Sequence, residues 1–385
     1  MQTATFDEIK NGLISDVYFY RTQQILKELN IDKKVIVEFA LKKFPGNYNW
    51  GILSGIEECV ELFTGLDLNV WSMPEGTIFE KNRPVMVIEG RYLDFGIYET
   101  ALLGLLCQAS GIATKAARLR KTATDKLLLS FGARRMHPTI APMIERNAYI
   151  GGCDGVAVIK SANMIGIEPS GTIPHSLILL VGDTVKACRA FNEIIDKKVK
   201  RVALIDTFLD EKFEALNVAE ELKNELVAVR LDTPTNRRGD FLSILKEVRW
   251  ELDIRGFHYV KLFVSGGIDE RNIHELNEVV DAYGVGTSIA NAPVLDFSMD
   301  IVEIEGKPIS KRGKCSSRKE VYRCPQCLKS EVVPYKWKVK PKCECNKPYD
   351  TMLSPLIENG KVIKEQPAPN QVREYVLQQL QKYCV

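Results

Sequence analysis

A chain of 385 residues exceeds what one hydrophobic core usually organises, so two or three domains are expected. Hydrophobic residues make up 45% and charged ones 26%, with no low-complexity tract, which excludes a disordered or fibrous chain. Lys+Arg total 52 against Asp+Glu 50, so there is no general electrostatic pull toward nucleic acid or membrane, and any anion binding must be local.

The opening residues Met1-Gln2-Thr3-Ala4-Thr5-Phe6-Asp7 carry neither a basic n-region nor an apolar h-region. No window is read as reaching the roughly 18 apolar residues of a membrane span, so a cytoplasmic protein is expected. Thr5 to Leu29 is amphipathic, Val70 to Gly90 reads as strands with a turn at Met73-Pro74-Glu75-Gly76, and Gly96 to Lys121 is a long helix with a basic last turn. Residues 1–120 therefore read as an N-terminal α+β domain.

From Lys126 to Ile289 short apolar runs alternate with helical stretches, as parallel strands joined by crossover helices do. The runs are Leu127–Phe131, Gly155–Val158, Ile165–Ile167, Val202–Ile205, Leu226–Arg230, Val260–Val264 and Tyr283–Gly286. Their number suits an irregular α/β barrel over 121–290 better than an open sheet. A return strand and linker follow over 291–312, with a tight turn in Val302-Glu303-Ile304-Glu305-Gly306-Lys307-Pro308, and then a small cysteine-bearing unit over 313–385.

Nearly every run ends in residues with chemistry, and in a barrel these converge on the C-terminal face. Ser265-Gly266-Gly267 and Gly284-Val285-Gly286-Thr287 let backbone N–H groups approach a phosphate, or are simply two tight strand-to-helix turns. Asp206 and Asp232 end neighbouring runs, placed to hold Mg²⁺, to accept from ribose hydroxyls or, at Asp206-Thr207, to cap a helix. Arg134, Arg135 and Arg230 supply guanidinium forks for phosphate or carboxylate. His175, one of four histidines, sits among glycine and hydroxyl residues in Ser170-Gly171-Thr172-Ile173-Pro174-His175-Ser176, a setting that favours a role at an anionic centre.

Cys59, Cys107, Cys153, Cys188 and Cys384 stand singly in apolar or helical segments, as inert thiols do. Cys315 lies near two pairs, Cys324-Pro325-Gln326-Cys327 and Cys343-Glu344-Cys345, separated by a stretch suited to a small hairpin. The four paired thiolates match a tetrahedral structural Zn²⁺ in a knuckle-like unit, although the second pair is one residue short of standard spacing; the alternative is a metal-free loop.

Phe131-Gly132-Ala133-Arg134-Arg135, Gly171-Thr172-Ile173-Pro174-His175-Ser176, Val229-Arg230-Leu231-Asp232, Ser265-Gly266-Gly267-Ile268-Asp269-Glu270 and Tyr283-Gly284-Val285-Gly286-Thr287 resemble, in order, the motifs of nicotinate phosphoribosyltransferases of the shorter, archaeal-like branch. Ser15-Asp16-Val17-Tyr18 resembles their N-terminal Asp-x-Tyr segment. The resemblance implies the type II phosphoribosyltransferase fold, an irregular α/β barrel with an α/β-sandwich N-terminal domain, and a homodimer with shared active sites, in which Tyr18 acts in trans. It further implies that Tyr18 and Phe131 sandwich nicotinate, that Arg134 or Arg135 meets an anionic group, and that Thr172, Thr207 and Arg230 bind substrate. Phosphoribosyl pyrophosphate is the implied donor, with Mg²⁺ on its pyrophosphate and Asp206 and Asp232 steadying the cationic sugar. His175 matches the histidine that the family phosphorylates from ATP.

Two departures stand out: the run Arg230-Leu231-Asp232-Thr233-Pro234-Thr235-Asn236-Arg237-Arg238-Gly239-Asp240, where many relatives carry Arg-x-Asp-Ser-Gly-Asp, and Ser265-Gly266-Gly267, which also resembles quinolinate phosphoribosyltransferases of the same fold. Quinolinate and nicotinamide phosphoribosyltransferases are the rival enzymes, and the motif ending in His175 argues against the first. A zinc-ribbon nucleic-acid module on a degenerate barrel is the rival from another class, which the charge balance disfavours.

Overall fold

The computed structural model describes residues 2–234, 236–337 and 341–383; Thr235 and Cys384 lie outside them. The chain forms two compact units, one of residues 1–114 with 293–385, the other of residues 115–292.

In the first unit a seven-stranded antiparallel sheet runs in the order Lys307–Pro308, Phe297–Ile304, Lys34–Leu41, Pro84–Arg91, Leu68–Ser72, Ser354–Glu358, Lys361–Val362. Alternation decides which face is buried: Val35, Val37, Phe39 and Leu41 point into one core with Leu68 and Val70, while Lys34 stays outside. Helix Ile56–Phe63 and the early turns of helix Glu99–Ala123, through Leu102 and Leu106, cover that face. The turn foreseen at Glu305-Gly306 is a two-residue hairpin in which both residues have positive φ, +49° and +72°, as the right-handed strand twist requires.

Residues 313–385 are built into this unit. Strand Ser354–Glu358 extends the large sheet by pairing with Leu68–Ser72, and Val321, Met352 and Leu356 join its core. A three-stranded sheet of Ser330–Pro334, Lys319–Arg323 and Asp350–Thr351 carries the cysteines. Its hairpin turn holds Cys324 and Cys327, and its second strand, Ser330–Pro334, lies in the stretch between the cysteine pairs. Helix Pro369–Lys382 closes the chain with Val372, Val376 and Leu380 buried.

The segment Tyr92–Ala123 is long and apolar enough, by length and composition, to cross a membrane, which the sequence reading missed. Half of its most apolar window is buried inside the protein, as expected of a core helix. Of the single cysteines, Cys59, Cys153 and Cys188 are buried and Cys107 is half-buried.

In the second unit six parallel strands run in the order Gly155–Val156, Leu127–Ser130, Ala282–Val285, Lys261–Ser265, Leu226–Leu231, Arg201–Leu204. Pairing of the first long strand, Leu127–Ser130, with the last, Ala282–Val285, wraps the chain around itself. The irregular barrel expected is here a curled half-barrel: among the described residues its edge strands Gly155–Val156 and Arg201–Leu204 share no ladder. Helices cover it, so strands such as Ala282–Val285 are buried throughout, the continuous apolar pattern of parallel sheets.

Ile165–Ile167, expected as a strand, is instead the end of helix Ile159–Ile165, where Gly166 takes φ +81° and its N–H bonds Ala162 O at 2.9 Å. A three-residue apolar run carries no period of its own, and the glycine was a helix stop.

Candidate active site

The strand ends of the half-barrel enclose a cavity of about 310 Å³ whose lining residues all belong to the second unit. Phe131, Arg134, Arg135, Thr172, Arg230, Asp232, Ser265, Gly266, Gly267, Gly284, Gly286 and Thr287, each singled out in the sequence, line it together.

Arg230 organises the floor. Its Nε donates to Ser265 Oγ at 2.9 Å and its Nη1 to Thr172 Oγ1 at 2.6 Å, while Nη2 lies 3.1 Å from Asp232 Oδ2. Ser265 Oγ donates in turn to Asp232 Oδ1 at 2.6 Å, closing a network across two adjacent parallel strands. The guanidinium carbon also stands 5.6 Å from the centre of the Phe131 ring.

Phe131 can hold that place because residue 284 is glycine: a Cβ there would lie 2.6 Å from the Phe131 ring. Gly266 and Gly267 have φ of +78° and +66°, a conformation that side chains rarely tolerate, and it shapes the loop after strand Lys261–Ser265. Arg134 and Arg135 project from the single turn Ala133–Arg135, exposed and without an ion-pair partner among the described residues.

His175 begins helix His175–Val181. Its Nδ1 is 3.1 Å from Thr207 Oγ1, and its Nε2 is 3.8 Å from both Asp206 Oδ1 and Asp232 Oδ2. The imidazole thus joins Thr207 and Asp206 to the carboxylate that belongs to the Arg230 network, and its side chain is 40% exposed.

Asp206 is not a helix cap. Asp210 caps helix Glu211–Leu222, accepting from Lys212 N at 3.0 Å. The Asp206 carboxylate is nearly fully buried and neither oxygen has a hydrogen-bond partner among the described residues. Burial, assisted by repulsion from Asp232, pushes its pKa up to about 6, against the opposing pull of His175 and Arg230. Two carboxylates, one without a hydrogen-bond partner among the described residues, form a hard oxygen donor set of the kind that suits Mg²⁺.

Arg238 was quoted in the sequence only as part of a departure from the family pattern. It is buried, donating through Nε to Thr233 O at 2.7 Å and through Nη2 to Ser265 O at 2.7 Å and to Gly266 O. It clamps the glycine loop from behind. An arginine in a loop rich in other arginines gives no positional signal of such a role.

Tyr18 lies in the other unit, on helix Val17–Glu28, 56% exposed, with its hydroxyl 3.2 Å from Asp16 Oδ2. Also in that unit, the sulfurs of Cys324, Cys327, Cys343 and Cys345 all lie within 4.8 Å of one another, and Cys315 is not among them.

Residues 16–110 match the model of the quinolinate phosphoribosyl transferase N-terminal domain and residues 112–300 that of its C-terminal domain. A nicotinate phosphoribosyltransferase of Mycobacterium tuberculosis is 32% identical over 330 residues, covering 83% of this chain and 69% of that protein. The chain belongs to the nicotinate and quinolinate phosphoribosyltransferase family. The nicotinate phosphoribosyltransferase of Bacillus subtilis is 29% identical over 340 residues, 76% of this chain and 68% of that one.

A crystal structure named nicotinate-nucleotide pyrophosphorylase, from Pyrococcus furiosus, has 54% identity and a TM-score of 0.98, covering 100% of this chain and 98% of that one. The human nicotinic acid phosphoribosyltransferase structure, at 17% identity, shares the fold with a TM-score of 0.74 over 96% of this chain and 94% of its own.

Proposed function

We propose that this protein transfers the phosphoribosyl group of phosphoribosyl pyrophosphate to nicotinate, serving the salvage of pyridine nucleotides in the cytoplasm as a member of the family's shorter branch. The observation that carries the reading is the single cavity combining one aromatic face, Phe131, with the guanidinium groups of Arg134, Arg135 and Arg230 and a glycine-lined rim. Relatives named nicotinate phosphoribosyltransferase, up to 32% identical, support the choice of substrate.

In this mechanism the pyridine ring lies on Phe131 and its carboxylate meets Arg134 or Arg135. The ring nitrogen supplies the electron pair for the new bond to C1′, and the C1′–O bond breaks with its pair leaving on pyrophosphate. Positive charge develops on the sugar between these events, and Asp206 and Asp232 are the anions near enough to the rim to steady it. The backbone N–H groups of Gly266, Gly267, Gly286 and Thr287 and the side chain of Arg230 receive phosphate oxygens. Mg²⁺, when bound, would neutralise pyrophosphate charge, and Asp206 and Asp232 are the residues that would hold it.

His175 is the residue through which ATP would couple, by accepting its γ-phosphoryl group on a ring nitrogen with release of ADP. The exposed imidazole beside Thr207 supports this assignment. Helix Val17–Glu28 exposes Val17, Tyr18, Tyr20 and Ile25, an apolar surface that supports a homodimer in which Tyr18 stacks on the partner's substrate. The four clustered sulfurs support a structural Zn²⁺.

The second reading is a quinolinate phosphoribosyltransferase, favoured by the names of the matching family models. Pyrophosphate release measured with nicotinate, nicotinamide and quinolinate separates the readings. Nicotinate is expected to give the highest kcat/KM, and a preference for quinolinate overturns the proposal.

A further inference from the structure

We propose that the groove between strand Lys319–Arg323 and helix Pro369–Lys382 is a binding site for a small phosphate-type oxyanion. The groove encloses about 210 Å³, and all its lining residues lie in the first unit. Its volume admits inorganic phosphate.

The observation behind the proposal is Arg323. Only 4% exposed, it donates through Nε to Ser330 Oγ at 2.9 Å, yet its Nη1 is buried with no hydrogen-bond partner among the described residues. It lines the groove, and among the described residues no carboxylate oxygen lies within ion-pair distance of it. Glu80 attracts it only from beyond ion-pair distance, and a buried guanidinium without a close counter-charge is destabilising, so the position suits an anion.

The protein's own carboxylates do not fill the role. Asp350 sits directly across the strand ladder from Arg323 but is exposed and unpaired with it. Glu80 lies 3.6 Å from the guanidinium of Arg83. Arg83 in turn donates to Ser330 O at 3.1 Å, which places a second guanidinium beside the residue that Arg323 holds.

The far wall is one face of the C-terminal helix. Tyr375, Gln378 and Lys382 recur there at three- and four-residue spacing and all line the groove. Gln379, between them, is spent on the fold, donating to Gly76 O at 2.9 Å and accepting from Ile78 N at 2.9 Å. The groove is thus lined by a guanidinium, an ammonium, an amide and a phenol hydroxyl, which together offer several donors and two positive charges, the chemistry that grips phosphate. An oxyanion held there would tie the C-terminal helix to the cysteine-bearing strand and so stabilise the folded chain.

The test is titration of full-length protein with inorganic phosphate in a phosphate-free buffer, followed by calorimetry and by melting temperature. Phosphate should raise Tm. Gln378→Glu should weaken binding at the groove at least tenfold while leaving the phosphate-free Tm unchanged or higher, because the new carboxylate itself pairs with Arg323. Lys382→Gln should weaken binding in the same direction. Arg230→Gln, which disables the half-barrel cavity, should leave the groove response intact.

A phosphate response lost in Arg230→Gln and untouched by Gln378→Glu would overturn the proposal. So would a drop in phosphate-free Tm with Asp350→Asn together with no change in phosphate affinity for Gln378→Glu, since Asp350 would then be the partner of Arg323. These variants decide the question even if Arg323→Met does not fold.

Discussion

His175 stands 3.1 Å from Thr207, Nδ1 to Oγ1, and this contact fixes which way the other ring nitrogen faces. With Nδ1 held by the hydroxyl, Nε2 is directed at Asp206 and Asp232, 3.8 Å from each. Replacing Thr207 by Val keeps the volume and removes the hydrogen bond, so the ring can rotate away. Thr207→Val is expected to lower ATP hydrolysed per nucleotide formed and to reduce ATP-dependent kcat about tenfold. Coupled measurement of both products checks this, and unchanged coupling would make the contact incidental.

The Asp206 carboxyl, pushed up to about 6 chiefly by burial, predicts a pH signature. The unfolded chain ionises this group near the ordinary aspartate value of 3.8, before the folded protein does. Its stabilising contribution is therefore complete below pH about 4 and lost as pH rises through about 6. Asp206→Asn, which cannot ionise, should melt higher than wild type at pH 8, with the gap closing toward pH 4. Its activity at pH 8 should nevertheless fall, because the anion near the sugar is gone. Paired thermal melts across that range and one kinetic assay test both statements.

Gly284 gives the Phe131 ring its seat. A Cβ at 284 would lie 2.6 Å from that ring and 3.2 Å from Phe263, so Gly284→Ala must displace Phe131 into the cavity. The expected cost is about 1–3 kcal/mol of stability, as for other overpacked sites. A rise of roughly tenfold in KM for the pyridine substrate should accompany it, since loss of one good stacking contact is worth about 1 kcal/mol or more. Denaturant unfolding and steady-state kinetics on the same preparation would show both, and an unchanged KM would remove Phe131 from the ring-binding role.

The four sulfurs within 4.8 Å predict about one zinc per chain in protein purified without chelator. Because the cysteine sheet shares its unit with strand Ser354–Glu358, chelation should lower Tm and not merely release metal. Metal analysis before and after chelation decides this, and metal-free protein with unaltered Tm would contradict it.

Much of the site was legible because parallel strands leave a local mark. An apolar run that ends in Gly, Asp, Arg or Ser places that residue at a strand's C-terminal end, and this located Phe131, Arg230, Asp232, Ser265 and Thr287 before any contact was known. What failed depended on distant or competing information. Ile165–Ile167 was too short to show a period. The opening between Gly155–Val156 and Arg201–Leu204 follows from sheet curl, which no local pattern encodes. Arg238 acts through carbonyls 27 and 28 residues away, so its neighbours in sequence say nothing of its role. The union of Ser354–Glu358 with the first unit rests on pairing with Leu68–Ser72, across most of the chain.

Nucleotide formation from nicotinate and phosphoribosyl pyrophosphate, quantified chromatographically with and without ATP, tests the central claim most directly. Wild type should form nicotinate mononucleotide and pyrophosphate in equal amounts and be stimulated by ATP. His175→Ala should fold normally, since one half-exposed ring contributes little to the core, and should keep only a slow ATP-independent transfer. Absence of nicotinate turnover in folded wild-type protein, with quinolinate consumed in its place, would contradict the account.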